Sequence, residues 1–158
     1  MFATGIGYDV HRFAPDRDLI LGGVKIAHPL GLEGHSDADV LSHAIADALL
    51  GAAGQPDIGH LFPNTDESIR GISSLEIIRK VSAQLTAKGI DILNVDATLI
   101  AEAPKIGPYI DDMKNKLAAV IGIPADCVGI KATTNEGMGF LGRGEGIAAM
   151  AVAAVDRK

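Results

Sequence analysis

The stretch EGIAAMAVAAVDR, residues 145–157, reads as a strand with two apolar faces: Ile147, Ala149 and Ala151 point one way, Ala148, Met150 and Val152 the other. A strand of that kind belongs in a sheet covered on both sides. Helices elsewhere in the chain can cover one face, and 158 residues leave little for the second. Other copies of the chain are therefore expected to supply it.

Working outward, residues 2–13, FATGIGYDVHRF, also alternate, with Thr4, Ile6, Tyr8 and Val10 on one side and Gly5, Gly7, Asp9 and His11 on the other. PDRDLILGGVKIAHPLG, residues 15–31, holds two short apolar runs about Gly22-Gly23, a hairpin signal whose tip is expected in solvent. GHSDADVLSHAIADALLGA, residues 34–52, is an amphipathic helix with Ser36 as N-cap and Asp39 three residues on, ended by Gly54 and Pro56. Residues 73–89 give a second helix, opened by Ser73 and Glu76 in a capping-box pattern and closed by Gly89, with Leu75, Ile78, Val81 and Leu85 at helical spacing. A strand at 90–101 follows, then a helix with Pro108 in its first turn and Ile110, Met113, Leu117 and Val120 as its inner stripe, then a strand at 128–134. This order predicts an α+β fold, one domain over residues 1–158, with a mixed sheet and helices on one face. A doubly wound parallel sheet would require a fourth crossover helix that the pattern lacks.

The formal charge is −6, with no basic run and only 4 % aromatic residues, which argues against a nucleic-acid partner. An acidic protein that handles phosphates needs a metal to offset repulsion. The lone Cys127 cannot form an internal disulfide, and no run approaches eighteen apolar residues or resembles a signal peptide, so a soluble, cytoplasmic protein without a membrane partner is expected. GMGFLG, residues 137–142, spells the dinucleotide fingerprint but runs into the strand RGEGIAAMAV rather than a helix. It reads instead as a glycine-rich loop between antiparallel strands that brings backbone close to a ligand or a neighbouring subunit.

Asp9 and His11 share a strand face, and His43 lies on the helix after it. Two imidazoles and a carboxylate are a common zinc set that leaves a fourth position for substrate. Singly, each has an ordinary role as a strand or helix polar residue; together, with Gly5 and Gly7 clearing the same face, they predict a metal site. His35 and Ser36 precede the helix, where unpaired N–H groups favour an anion, although a loop histidine and a simple cap would look the same. Asp37 and Asp39 suit the positive end of the helix dipole without any catalytic role. Thr133, Thr134 and Glu136 close a strand before the glycine loop, and Glu136 beside a phosphate would suit Mg²⁺. Arg143 could pair with Glu145 or reach a phosphate.

YDVHRF, GHSDADVLSHAIADALLGA, DIGHLFPNTD, AEAPKIGPY and KATTNEGMGFLGRGEGIA together resemble the 2-C-methyl-D-erythritol 2,4-cyclodiphosphate synthases of the non-mevalonate isoprenoid pathway, in order from first strand to last. The resemblance implies a homotrimer with sheets packed about a three-fold axis and active sites at the subunit interfaces. It implies conversion of 4-diphosphocytidyl-2-C-methyl-D-erythritol 2-phosphate to the cyclic diphosphate and CMP by a phosphorus–oxygen lyase. Asp9, His11 and His43 match the zinc-type ligands, Asp9 and His11 also bordering the substrate. His35 and Thr134 match positions that steady the transition state, with Ser36 at the phosphates. Asp57, Ile58 and Gly59, with Phe62, Pro63, Asn64, Thr65 and Asp66, match the part that holds the methylerythritol end. From the adjacent subunit, Ala101, Glu102, Ala103, Pro104, Lys105, Ile106 and Gly107 match the cytidine and diphosphate pocket, as do Thr133, Thr134, Asn135 and Glu136. Glu136 falls on a second metal, Mg²⁺ or Mn²⁺, carried with the diphosphate, and Phe140 and Arg143 complete the set. His60, Glu102 and Asn135 stand where Lys, Gln and Thr are commoner, and Glu102 near the nucleotide implies recognition of the base by backbone.

With such a substrate the nucleophile is its own ionised 2-phosphate, so the protein need supply only positioning and charge neutralisation. Two rival readings remain open on the sequence: a metal-dependent phosphoesterase, in which the same ligands activate water, and a metal-stabilised ligand-binding protein.

Overall fold

The computed structural model describes residues 1–63 and 65–158. The strands are β1 (Phe2–Ala14), β2 (Leu19–Leu21), β3 (Val24–Ile26), β4 (Gly31–Leu32), β5 (Ile90–Ile100), β6 (Val128–Thr133) and β7 (Gly146–Arg157). The helices are α1 (Val40–Ala52), the single turn α2 (Ile58–Leu61), α3 (Ser74–Ala87), α4 (Ile110–Ile121) and the single turn α5 (Gly139–Gly142). Five strands form one sheet in the order β4-β1-β7-β5-β6, with β5 and β6 parallel and the other pairs antiparallel. This is the expected α+β chain with a mixed sheet. The hairpin β2–β3 forms a separate two-stranded sheet.

Strand β7 is central, and its inner residues Ile147, Ala149, Ala151, Ala153 and Val155 are buried in one core with the apolar faces of α1, α3 and α4. On the outer face Met150 and Val152 remain 45 % and 47 % exposed, beside Ile6 and Tyr8 of β1 at 66 % and 52 %. The chain's helices thus cover one side only, and an apolar sheet face is left outward.

The position of α1 is fixed by two glycines of β1. A Cβ on Gly7 would stand 2.8 Å from the Ala48 nitrogen and closer still to the Ala44 carbonyl; one on Gly5 would meet the backbone of Ala48 and Ala52. Helix backbone therefore rests directly on strand backbone, an approach that a side chain would prevent. Two and four residues beyond Gly7 on the same face come Asp9 and His11, beside the same helix.

Several local expectations are corrected. Helix α1 begins at Val40 and its N-cap is Asp39, not Ser36; the Asp39 carboxylate accepts from the Ser42 N–H. Ala38 takes a left-handed conformation (φ 57°), which breaks any helix running back to Ser36. The hairpin tip is not in solvent: Gly22 is buried, the Gly22 and Gly23 N–H groups donate to Asp39 at 2.9 and 2.7 Å, and Met113 and Leu75 close over the two glycines. Asp39 thus has a structural duty that a helix-dipole charge does not describe. Ser73 is the N-cap of α3 but makes no side-chain capping bond, and Glu76 pairs with Arg79 instead. In α4 the deep stripe is Met113, Leu117, Ala118 and Ile121, with Val120 only half-buried. The GMGFLG segment contains the turn α5, and it leads from β6 to β7, which β5 separates. No helix among the described residues is long and apolar enough to cross a membrane.

Candidate metal centre and flanking pockets

Asp9, His11 and His43 meet where β1 passes α1. His11 Nε2 lies 2.8 Å from Asp9 Oδ2, His43 Nδ1 lies 3.0 Å from the same oxygen, and the two ring nitrogens are 3.3 Å apart. Burial works against a charged Asp9, but the two imidazoles beside it prevail and hold its carboxyl well below the usual carboxylate range. Burial likewise opposes charge on His11, yet the Asp9 carboxylate and the Glu33 carbonyl raise its affinity for a proton. The preference for positive charge between these groups can be met by a proton or by a metal ion.

The donor set fits a divalent metal. Ligand atoms about 2.0–2.1 Å from a tetrahedral zinc lie roughly 3.3 Å from one another, close to the separations in this cluster. The opposite nitrogen of each ring is engaged: His11 Nδ1–H donates to the Glu33 carbonyl at 2.6 Å, while His43 Nε2 faces the hydroxyls of Ser74 (2.9 Å) and Ser36 (3.2 Å). With those protons on the outer nitrogens, the inner lone pairs of both rings turn toward Asp9. Among the described residues, this is the one group of three such side chains whose ligand atoms converge within 4.8 Å.

The three residues border a cavity of about 280 Å³ whose wall also holds Gly34, His35, Ser36, Asp47, Ile58, Gly59 and Phe62. His35 Nε2 is buried without a hydrogen-bond partner among the described residues, as expected of a group facing a ligand. Arg17 grips this loop: Nη1 donates to the Gly34 carbonyl at 2.6 Å and Nη2 to the Ser36 carbonyl at 2.7 Å, on either side of His35. Asp57 caps α2, accepting from the His60 N–H and lying 3.1 Å from its ring. Asn64, expected among the neighbouring residues, lies outside the described residues; Pro63 precedes it in the sequence, and Thr65 and Asp66 come after it.

A second cavity, about 310 Å³, lies at the ends of β5 and β6. It is lined by Ala101, Glu102, Pro104, Lys105, Ile106, Gly107, Thr133 and Thr134 and shares no residue with the first. Within one chain, then, His35 and Thr134 line separate pockets, and Glu136 is outside the three-ligand group. The Glu102 carboxylate is occupied by the N–H groups of Asn135 (2.9 Å) and Gly137 (3.3 Å), so it shapes the loop rather than facing the pocket as a bare charge. Phe140 lines a third hollow with His11 and Glu145, and Arg143 takes the structural option, pairing with Glu145 at 2.8 Å.

Three contributors escaped the sequence reading: Arg17, Ser74 and Asp47. Arg17 and Ser74 act through contacts remote in sequence and left no local signal. Asp47 did leave one, since it follows His43 by four residues and so shares its helix face; its carboxylate receives the Ile58 N–H at 2.9 Å and ties α1 to α2.

The fold and site define an α+β protein in which one chain brings an Asp/His/His group into position to hold a metal ion, with a separate pocket at its strand ends. Residues 2–156 match the YgbB family, and the chain belongs to it. It is 61 % identical over 153 residues to the 2-C-methyl-D-erythritol 2,4-cyclodiphosphate synthase of Akkermansia muciniphila, covering 96 % of this chain and 90 % of that one. Among solved structures, the bifunctional IspDF of Campylobacter jejuni superposes with a TM-score of 0.96 at 37 % identity; all of this chain matches 43 % of that longer one. The IspF of Plasmodium falciparum, solved as a CDP complex, gives 0.86 at 32 % identity, over 99 % of this chain and 97 % of that one.

Proposed function

We propose that this chain is a 2-C-methyl-D-erythritol 2,4-cyclodiphosphate synthase acting on 4-diphosphocytidyl-2-C-methyl-D-erythritol 2-phosphate. An oxygen of the 2-phosphate forms a bond to the β-phosphorus, the bond from that phosphorus to the bridging oxygen breaks, and CMP leaves with the bridging oxygen; no water enters. The observation that carries this reading is the convergence of Asp9, His11 and His43 on a cavity whose wall includes the His35–Ser36 loop. Membership of the family, with named synthases among the relatives, supports it.

A divalent cation bound by Asp9, His11 and His43 would supply Lewis-acid polarisation of a phosphoryl oxygen, and zinc suits two imidazoles and a carboxylate. The other roles fall to the chain. His35 and Ser36, held from behind by Arg17, donate to phosphate oxygens that gain charge as CMP departs. Asp57, Ile58 and Gly59, with the Phe62–Asp66 loop, hold the methylerythritol end; the cavity's apolar side, with Ile58 and Phe62, suits the methyl group. The pocket of Ala101–Gly107 takes the cytidine through backbone groups, Glu102 being committed to the loop. Thr133 to Glu136 flank the diphosphate, with Glu136 as the carboxylate partner of Mg²⁺ or Mn²⁺ carried with it.

The two pockets are distinct within one chain, which supports a complete site assembled from two chains. We assign the uncovered outer sheet face to the centre of a homotrimer, with a site at each interface. In sedimentation the protein is expected at three times its 16.3 kDa chain mass; a stable monomer with full activity would contradict this. A cytoplasmic location accords with the lack of any membrane-crossing helix among the described residues.

Incubation with the cytidyl substrate, zinc and Mg²⁺ is expected to release CMP and the cyclic diphosphate in equal amounts. A product heavier by one water would replace the synthase by a phosphoesterase, and substrate bound but unconverted by the metal-loaded protein would leave only a binding role.

A further inference from the structure

We infer that Asp37 and Ser74 form a relay that sets the proton and orientation of His43, making both positioning residues for the metal centre. The inference rests on the reading of Asp9, His11 and His43 as metal ligands.

Ser74 lies in the first turn of α3, is fully buried, and reaches two groups with its hydroxyl: Asp37 Oδ1 at 2.5 Å and His43 Nε2 at 2.9 Å. An ionised carboxylate can only accept, so the Ser74 hydroxyl donates to Asp37. Its remaining role toward His43 is as acceptor, which places the proton on Nε2 and leaves the Nδ1 lone pair facing Asp9 and His11. A hydrogen bond from the non-ligating nitrogen of a metal-bound histidine fixes the tautomer, steadies the ring and raises its basicity. At His43 that bond passes through a serine to a carboxylate.

The relay is held by backbone. The Asp37 N–H donates to the Ile72 carbonyl at 3.2 Å, the Gly71 N–H to the His35 carbonyl at 3.1 Å, and the Ser74 N–H to Asp37 Oδ2 at 3.1 Å. These bonds join the loop before α1 to the start of α3, so Asp37 and Ser74 cannot drift apart without parting two segments. Ser36 is the competing partner of His43 Nε2, but it is more distant at 3.2 Å, and its oxygen already accepts the Ala38 N–H. Orientation of His43 by Ser74 leaves the Ser36 hydroxyl proton available to a phosphate.

The test is zinc affinity of the full chain, measured by competition with a chromophoric chelator, together with the absorption spectrum of the cobalt-substituted protein. Ser74→Ala keeps the backbone bond to Asp37 and removes only the hydroxyl; it is expected to weaken zinc binding about 10- to 100-fold and to shift the cobalt bands, with an unfolding midpoint near that of the parent. Asp37→Asn, which keeps the shape but not the charge, is expected to weaken binding in the same direction by less. Ser36→Ala is expected to bind zinc as the parent does. Unchanged affinity in both relay variants, or a loss in Ser36→Ala as large as in Ser74→Ala, overturns the relay. A parent chain that takes up no zinc overturns the metal reading and the relay with it, before any variant is compared.

Discussion

His43→Ala is expected to lose its bound metal and at least about a thousand-fold in turnover while remaining folded. A metal that polarises a phosphoryl oxygen contributes several kcal/mol to the transition state, and each 1.36 kcal/mol is about tenfold in rate. Removing one of three ligands forfeits most of that, because Asp9 and His11 alone leave a site that water must complete. The fold should survive: alanine is the best helix former, and α1 is held by its backbone contact with β1 and by its apolar stripe rather than by His43. Metal analysis, circular dichroism and CMP release on one preparation separate the two effects. Parental turnover in a metal-free His43→Ala protein would remove this residue from the mechanism.

Gly7→Val is expected to have the largest effect on stability, more than about 4 kcal/mol. The new Cβ would collide with the Ala44 carbonyl and the Ala48 nitrogen, both backbone atoms of α1 that cannot rotate away as a side chain could. The helix must lift from the sheet, opening the core and carrying His43 away from Asp9. In a chain of this size the unfolding midpoint should fall by about 10 °C or more, if soluble protein is obtained at all. Gly107→Ala is the control: among the described residues, nothing beyond its own chain neighbours lies within 4 Å of the added carbon, and its midpoint should stay within a few degrees of the parent's. Equal effects at the two positions would refute the placement of α1 by backbone contact with β1.

The contrast between these glycines shows what was legible in the sequence. Period-two alternation in β1 put Gly5, Gly7, Asp9 and His11 on one face, and the structure keeps them there beside His43. The apolar outer face of β7 was equally readable, since burial patterns are local and periodic. What failed were features decided by contacts between distant segments. Ser36 carries a cap residue's side chain, but the loop it sits in is bonded to residues 71–74, so the helix starts later, at a cap whose partner is Ser42. The Gly22-Gly23 turn has the composition of an exposed hairpin tip and is buried because α1, α3 and α4 meet above it. Likewise, Ser73 and Glu76 spell a capping box, yet Glu76 finds a stronger partner in Arg79 one turn on. The convergence of Asp9, His11 and His43 was legible because each lies in a strongly periodic element; the contacts of Arg17 and Ser74 were not, because each acts across a distance that a one-dimensional pattern does not encode.

The Asp39 carboxylate has a consequence for the order in which the chain opens. A two-stranded hairpin is at best marginally stable in water, and among the described residues β2–β3 is not hydrogen-bonded into the main sheet. Its tip is held by the same two oxygens that start α1: Oδ1 receives the N–H groups of Gly22 and Ser42, and Oδ2 receives the Gly23 N–H and the Ser42 hydroxyl. The hairpin tip and the first turn of the helix are thus one cooperative unit. In hydrogen exchange, the amides of Gly22, Gly23 and Ser42 should lose protection together, at a single opening free energy, although about twenty residues of chain separate the hairpin tip from the helix.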